Sequence, residues 1–101
     1  MKVFLSHLAE TKLLSLSKYI LENWGLRTKE NFILKLNEKI EQIARHPSSC
    51  PKSLEFKNLY KCVVTKQTTL YYRLLAAQKE IEIITVFDTR QNPSKLKKEV
   101  S

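Results

Sequence analysis

The apolar positions of this chain change period about halfway along it. Up to residue 45 they recur at the spacing of one helix face. From Leu59 onward they alternate or run in short unbroken stretches, as strands do. Lys2 to Leu5 is a short β-prone run. Ser6 follows, with a hydroxyl suited to capping the first free amides of a helix. Leu13, Leu16, Ile20 and Asn23/Trp24 form an apolar stripe, widened by Leu14 and Leu21. Glu10, Lys12, Lys18 and Glu22 lie opposite, so the spacing predicts a helix over 7–24. Gly25, the only glycine, sits just past the pattern, where a left-handed closing residue is expected. A second helix is expected from Arg27 or Thr28 to about Arg45, with Phe32, Ile33, Leu36, Ile40 and Ile43 as its stripe. It must stop before Pro47. The short link between the two makes an antiparallel helical hairpin.

Residues 46–58 hold two prolines and three serines and read as a loop. Leu59 to Thr65 reads as a strand with Tyr60, Cys62 and Val64 on one side. Lys66-Gln67 is the turn candidate, although it lacks Asn-Gly chemistry. Thr68 to Leu75 reads as a strand, and the chain turns again around Ala77-Gln78-Lys79. Ile81 to Phe87 is a nearly continuous apolar run, the pattern of a central strand covered on both faces. From Ser94 the residues are charged and suit a short helix or a frayed end. The expected order is β-α-α-β-β-β. That is an α+β domain spanning 1–101, with an N-terminal helical hairpin packed on a mostly antiparallel four-stranded sheet.

Composition narrows the class. Hydrophobic residues make up 43% of 101, too many for a disordered chain and enough for one core. No apolar run approaches the roughly 20 residues of a membrane span, and no secretory leader opens the sequence, so a cytoplasmic protein is expected. Cys50 and Cys62 stand apart, without a CxxC pair, and read as two reduced, small apolar residues. No spacing of His, Cys, Asp or Glu suggests a metal site, and nothing calls for a cofactor. The net charge is +8. It is concentrated in residues 44–79, which carry seven Lys/Arg against one Glu. Such a surface attracts polyanions or an acidic protein.

The order and spacing of these residues resemble the RelE/ParE superfamily of type II toxin–antitoxin toxins, many of them plasmid-stabilisation proteins. The resemblance covers residues 3–96. It rests on Val3-Phe4-Leu5-Ser6, Ala9, Leu13, Tyr19-Ile20, Trp24-Gly25, Phe32, Leu36, Ile40, Ile43 and His46-Pro47, then on Leu70-Tyr71-Tyr72-Arg73 and Ile81 to Val86 ending at Arg90. The helical half resembles the ParE branch. The resemblance implies a toxin held inactive by a cognate acidic antitoxin. The antitoxin would lay an amphipathic segment along the hairpin (Leu13, Leu16, Ile20, Trp24, Leu36, Ile40) and extend the sheet edge. It leaves open a homodimer or a toxin–antitoxin hetero-oligomer.

Two activities occur in that superfamily: ParE-like interference with DNA gyrase, and RelE-like cleavage of mRNA on the ribosome. Cyclising RNA cleavage needs a base, an acid and cations for the charged phosphorane. Here Thr69 stands where a RelE-like arginine is expected, and no tyrosine or histidine follows Tyr72. No catalytic residue is assigned, and the gyrase-directed reading ranks above the mRNA endoribonuclease. Arg90, Arg73, Lys57, Lys61 and Lys66 are the candidate target-binding cations. Each also has a plainer reading: an ion pair with Asp88 for Arg90, a solvated sheet position for Arg73. Trp24 is read more readily as an anchor of hairpin to sheet than as a binding hot spot. A non-toxic, basic nucleic-acid-binding module is the rival class, weakened because Tyr60, Tyr71 and Tyr72 do not form one stacking platform.

Overall fold

The computed structural model describes residues 1–89. Its elements are β1 (Lys2–Leu5), α1 (His7–Trp24), α2 (Leu26–Arg45), β2 (Tyr60–Val63), β3 (Thr68–Leu75), a 3-10 turn (Ala76–Gln78) and β4 (Glu80–Asp88). The order is the expected β-α-α-β-β-β. The expected structure from Ser94 onward lies outside the described residues.

The four strands form one sheet in the order β1-β4-β3-β2. β2, β3 and β4 run antiparallel to their neighbours, whereas β1 pairs parallel with β4, Val3 facing Ile81 and Leu5 facing Ile83. The nearly continuous apolar run of β4 serves two clusters, Ile81, Ile83 and Val86 in the main core and Ile84 and Phe87 in a smaller one. β4 is a central strand with neighbours on both sides, and Ile81, Ile83 and Val86 are at most 2% exposed. The helices cover one face. Ala9, Leu16, Ile20, Phe32, Leu36 and Ile43 pack there with Leu70, Tyr72 and the β4 residues in the main core. A smaller cluster lies apart from it, with Leu59 and Tyr71 packed against Phe56, Ile84 and Phe87.

Local chemistry sets the ends of these elements. The Ser6 hydroxyl accepts from the Ala9 amide at 3.0 Å and donates to the Ile84 carbonyl at 2.7 Å, so one side chain caps α1 and ties it to β4. That carbonyl belongs to a bulge. The β3–β4 register shifts between Tyr71 and Tyr72, leaving Ile84 without an opposite residue. The β2–β3 turn replaces Asn-Gly with a hydroxyl, as Thr65 Oγ1 accepts from the amides of Gln67 (3.2 Å) and Thr68 (3.1 Å). β2 is two residues shorter at its far end than the expected Leu59–Thr65, because the chain has already entered this turn.

Gly25 closes α1 and opens α2 in a single residue, with φ 93° and ψ 171°. The positive φ is as expected. The extended ψ is not left-handed helical; it lies in a region that only glycine occupies readily. A methyl group would meet nothing within 4 Å, so the constraint is backbone alone. Gly25→Ala should therefore cost about 1–3 kcal/mol in urea unfolding, although it fills open space.

Three expectations are corrected. Leu14 and Leu21 do not widen the core stripe; they are 74% and 39% exposed, because they lie on the flank of α1 turned from the sheet. Trp24 does not anchor the hairpin to the sheet. It ends α1 at 58% exposure. Cys50 and Cys62 do not stand apart: the fold brings them together as a disulfide pair, with Cα atoms 5.3 Å apart. Linear spacing hid this, because the 46–59 loop doubles back. Lys52 bridges to Tyr60, and the Lys61 amide donates to the Pro51 carbonyl at 2.9 Å.

Candidate functional site

Five cations are candidates for target contact: Lys57, Lys61, Lys66, Arg73 and Arg90. Two of them meet. Arg73 on β3 and Lys57 in the 46–59 loop line one open cleft of about 630 Å³ together with Glu55, Asn58, Glu82 and Ser6. The loop reaches the cleft because Asn58 takes a positive φ of 68° and because Ser53 Oγ accepts from the amides of Glu55 and Phe56. Phe56 then stacks edge-on against Tyr71, centroids 5.5 Å apart, which seats the loop on β3.

The cleft is not simply cationic. Arg73 and Glu82 face each other across β3 and β4. Glu82 Oε1 accepts from Arg73 Nε at 2.8 Å and lies 2.7 Å from Nη2. Glu55 adds a second carboxylate, so positive and negative groups balance among its lining residues. The plainer reading of Arg73, a sheet cation on the solvent side, describes its place, with the ion pair added. Glu82 is the residue that sequence reasoning missed. Its signal was present: a single acid in the apolar run 81–87, which hairpin pairing places opposite Arg73.

The other three cations lie elsewhere. Lys61, on β2, lines a separate cleft with Lys39. Lys66 projects from the exposed β2–β3 turn. Arg90 lies outside the described residues, as does its suggested pairing with Asp88. Asp88 itself is 1% exposed and accepts from the Thr68 hydroxyl at 3.0 Å.

The tyrosines near the cleft are sealed. Tyr71 is 4% exposed and Tyr72 is fully buried. Burial pushes both phenols above their ordinary value. The Glu55 carboxylate adds to the effect at Tyr71, and the Cys50 backbone opposes it at Tyr72. The Tyr72 hydroxyl donates to the Pro47 carbonyl at 2.7 Å. Both phenols thus stay protonated in the fold at pH values where they ionise in the unfolded chain. A raised folded value means that the stabilisation is complete below the unfolded value near 10 and is lost as pH rises past it. Urea midpoints should accordingly fall above about pH 10, and Tyr71→Phe should make that fall shallower.

Of the six hairpin residues proposed for antitoxin contact, Leu16, Ile20 and Leu36 are 3%, 2% and 6% exposed and belong to the core. Leu13 and Ile40 are half-buried against it. Only Trp24 is open to a partner. The exposed apolar side chains on the helices are Leu14, Tyr19, Leu21, Trp24, Leu26 and Leu34.

A two-helix hairpin on one face of a mixed four-stranded sheet, with β1 parallel to the last strand, is the architecture of RelE/ParE toxins. Solved structures with this fold include one described as "Chromosomal ParDE TA system from P. aeruginosa", with TM-score 0.73, 12% identity, 87% of this chain and 95% of that chain covered. A second is "YoeB/ParE toxin from Agrobacterium tumefaciens", with TM-score 0.61, 14% identity, 87% and 98% covered. A third is the isolated E. coli RelE toxin, with TM-score 0.60, 13% identity, 96% and 93% covered. A search of curated proteins found no significant match. The family model for the ParE toxin of the type II toxin–antitoxin system parDE matches residues 3–93, and the chain belongs to this family. Membership implies an antitoxin partner. No helix among the described residues is long and apolar enough to cross a membrane.

Proposed function

We propose that this chain is a ParE-like toxin that inhibits DNA gyrase by docking rather than by bond cleavage. A cognate acidic antitoxin neutralises it in the cytoplasm as part of a plasmid-stabilisation system. The observation that carries the reading is the match to the ParE toxin model over residues 3–93. The chemistry of the described sheet supports it. Proton transfer needs a group that titrates near working pH and reaches solvent. Tyr71 and Tyr72 are buried with raised pKa values, and Arg73 is neutralised by Glu82. Lys57 and Arg73 in the cleft, with Lys61, Lys66 and Arg90 outside it, form the docking cations. For Arg73 to meet an acidic target, it must exchange Glu82 for a carboxylate or phosphate of that target.

The antitoxin takes the outer face of the hairpin, where Leu14, Leu21 and Trp24 are exposed. An acidic, amphipathic segment buries these side chains and is drawn in by the net charge of +8. The assembly is then a toxin–antitoxin hetero-oligomer.

The test incubates purified protein separately with gyrase and with a programmed ribosome. Loss of supercoiling with intact mRNA is expected. Codon-dependent mRNA cleavage with supercoiling untouched would make the chain an endoribonuclease instead. Growth arrest on induction, relieved by an acidic neighbouring gene product, is also expected. A plain nucleic-acid-binding module would give neither arrest nor relief.

A further inference from the structure

The Cys50–Cys62 pair has a feature that a purely structural disulfide does not require. It sits against a cleft of about 450 Å³ lined by Lys39, Gln42, Ser49, Lys61 and Val63. The cleft is framed by a polar chain. Lys39 Nζ donates to Gln42 Oε1 at 3.4 Å, and Gln42 Nε2 donates to Ser49 Oγ at 3.0 Å, next to Cys50. Two ammonium groups thus line the approach to sulfur atoms that are otherwise covered, Cys50 at 6% and Cys62 at 1% exposure. Such a cleft admits a small molecule and favours an anionic one.

The pair also holds a functional segment. Cys50 lies in the loop that carries Glu55, Phe56, Lys57 and Asn58 to the Arg73 cleft, and Cys62 is the buried centre of β2. Linking them closes the loop at its base, across a sequence separation of 12.

We propose that Cys50 and Cys62 are a reversible oxidation site, closed by a small anionic disulfide that enters between Lys39 and Lys61, and that closure fastens the 46–59 loop over the sheet. The Cys50 thiolate attacks one sulfur of the small disulfide, forming a mixed disulfide and releasing one thiolate. The Cys62 thiolate then attacks the Cys50 sulfur and releases the second. The protein loses two protons and two electrons, and one small disulfide becomes two thiols. In a thiol-buffered compartment the pair rests open and closes when the small-disulfide pool rises.

The test begins with the full chain, reduced and freed of reductant, and adds oxidised glutathione. Mass spectrometry and thiol titration in denaturant should show a monomer lighter by two hydrogens and without free thiols, reversed by dithiothreitol. The closed form should melt roughly 10 °C or more above the open form, as expected for a cross-link of this loop length in a domain of this size. Proteolysis within residues 52–58 should slow on closure. Cys50→Ser should remove the redox dependence of melting. Lys39→Gln with Lys61→Gln should slow oxidation by oxidised glutathione several-fold and spare oxidation by cystamine, which is cationic. Retention of both thiols, arrest at a glutathione adduct, covalent dimers, or a melting temperature indifferent to redox state would each overturn the proposal. Equal slowing with both oxidants, or slowing with neither, would overturn the lysine-lined entry.

Discussion

Tyr72→Ala should lower the unfolding free energy by about 3–5 kcal/mol, among the largest losses a single change could cause in this fold. The ring is fully buried on β3. It stacks on Tyr60 with centroids 5.0 Å apart and planes 10° from parallel. Its hydroxyl holds the Pro47 carbonyl just beyond α2. Alanine would remove the core volume, the stack and the tether together. Tyr72→Phe separates these parts: it keeps the ring and loses only the hydrogen bond, for about 1 kcal/mol. Urea unfolding of both variants measures the difference. A domain of this kind has about 5–15 kcal/mol in total, so Tyr72→Ala should be partly unfolded at 37 °C. Near-equal losses in the two variants would show that the tether, not the ring, dominates.

Leu14→Glu with Leu21→Glu should weaken antitoxin binding at least 100-fold and leave the fold unchanged. Both side chains are exposed, so the substitutions cost little on the free toxin. Against an acidic partner they replace two apolar contacts by two like charges, worth about 3 kcal/mol or more together. Titration calorimetry with the antitoxin measures the loss, and thermal unfolding of the free toxin checks the fold. Leu16→Ala is the contrasting control: at 3% exposure it should cost about 2–5 kcal/mol of stability instead. Undiminished binding of the double variant would move the antitoxin to another face.

The two helices were legible because their periodic stripes, a serine cap and a lone glycine all agree on the same boundaries. The sheet was legible in outline for a related reason: β4 reads as covered on both faces, the pattern of a central strand. What escaped was contact between distant residues. Nothing local to Cys50 or Cys62 says that the intervening loop folds back. Nothing local to Glu82 separates it from a solvated acid until β3 is laid beside it. The hairpin residues failed in the opposite way. Leu16, Ile20 and Leu36 are apolar on an amphipathic helix, a pattern that suits a partner's groove as well as the protein's own core. Only the sheet beneath them decides which. Trp24 lies one position beyond that decision, at the end of α1, and stays outside.

The strand order also bears on how the toxin is made. β1 emerges first from the ribosome, yet the neighbour it must pair with, β4, is synthesised more than 70 residues later. Until residues 80–88 exist, the middle of the sheet is missing, and the hairpin has no completed surface to rest on. Vectorial folding is therefore blocked, and sequence-distant pairing of this kind is slow. A nascent chain in that condition exposes apolar surface. On the proposed function, that interval is when an antitoxin already present engages the chain, before the sheet is complete.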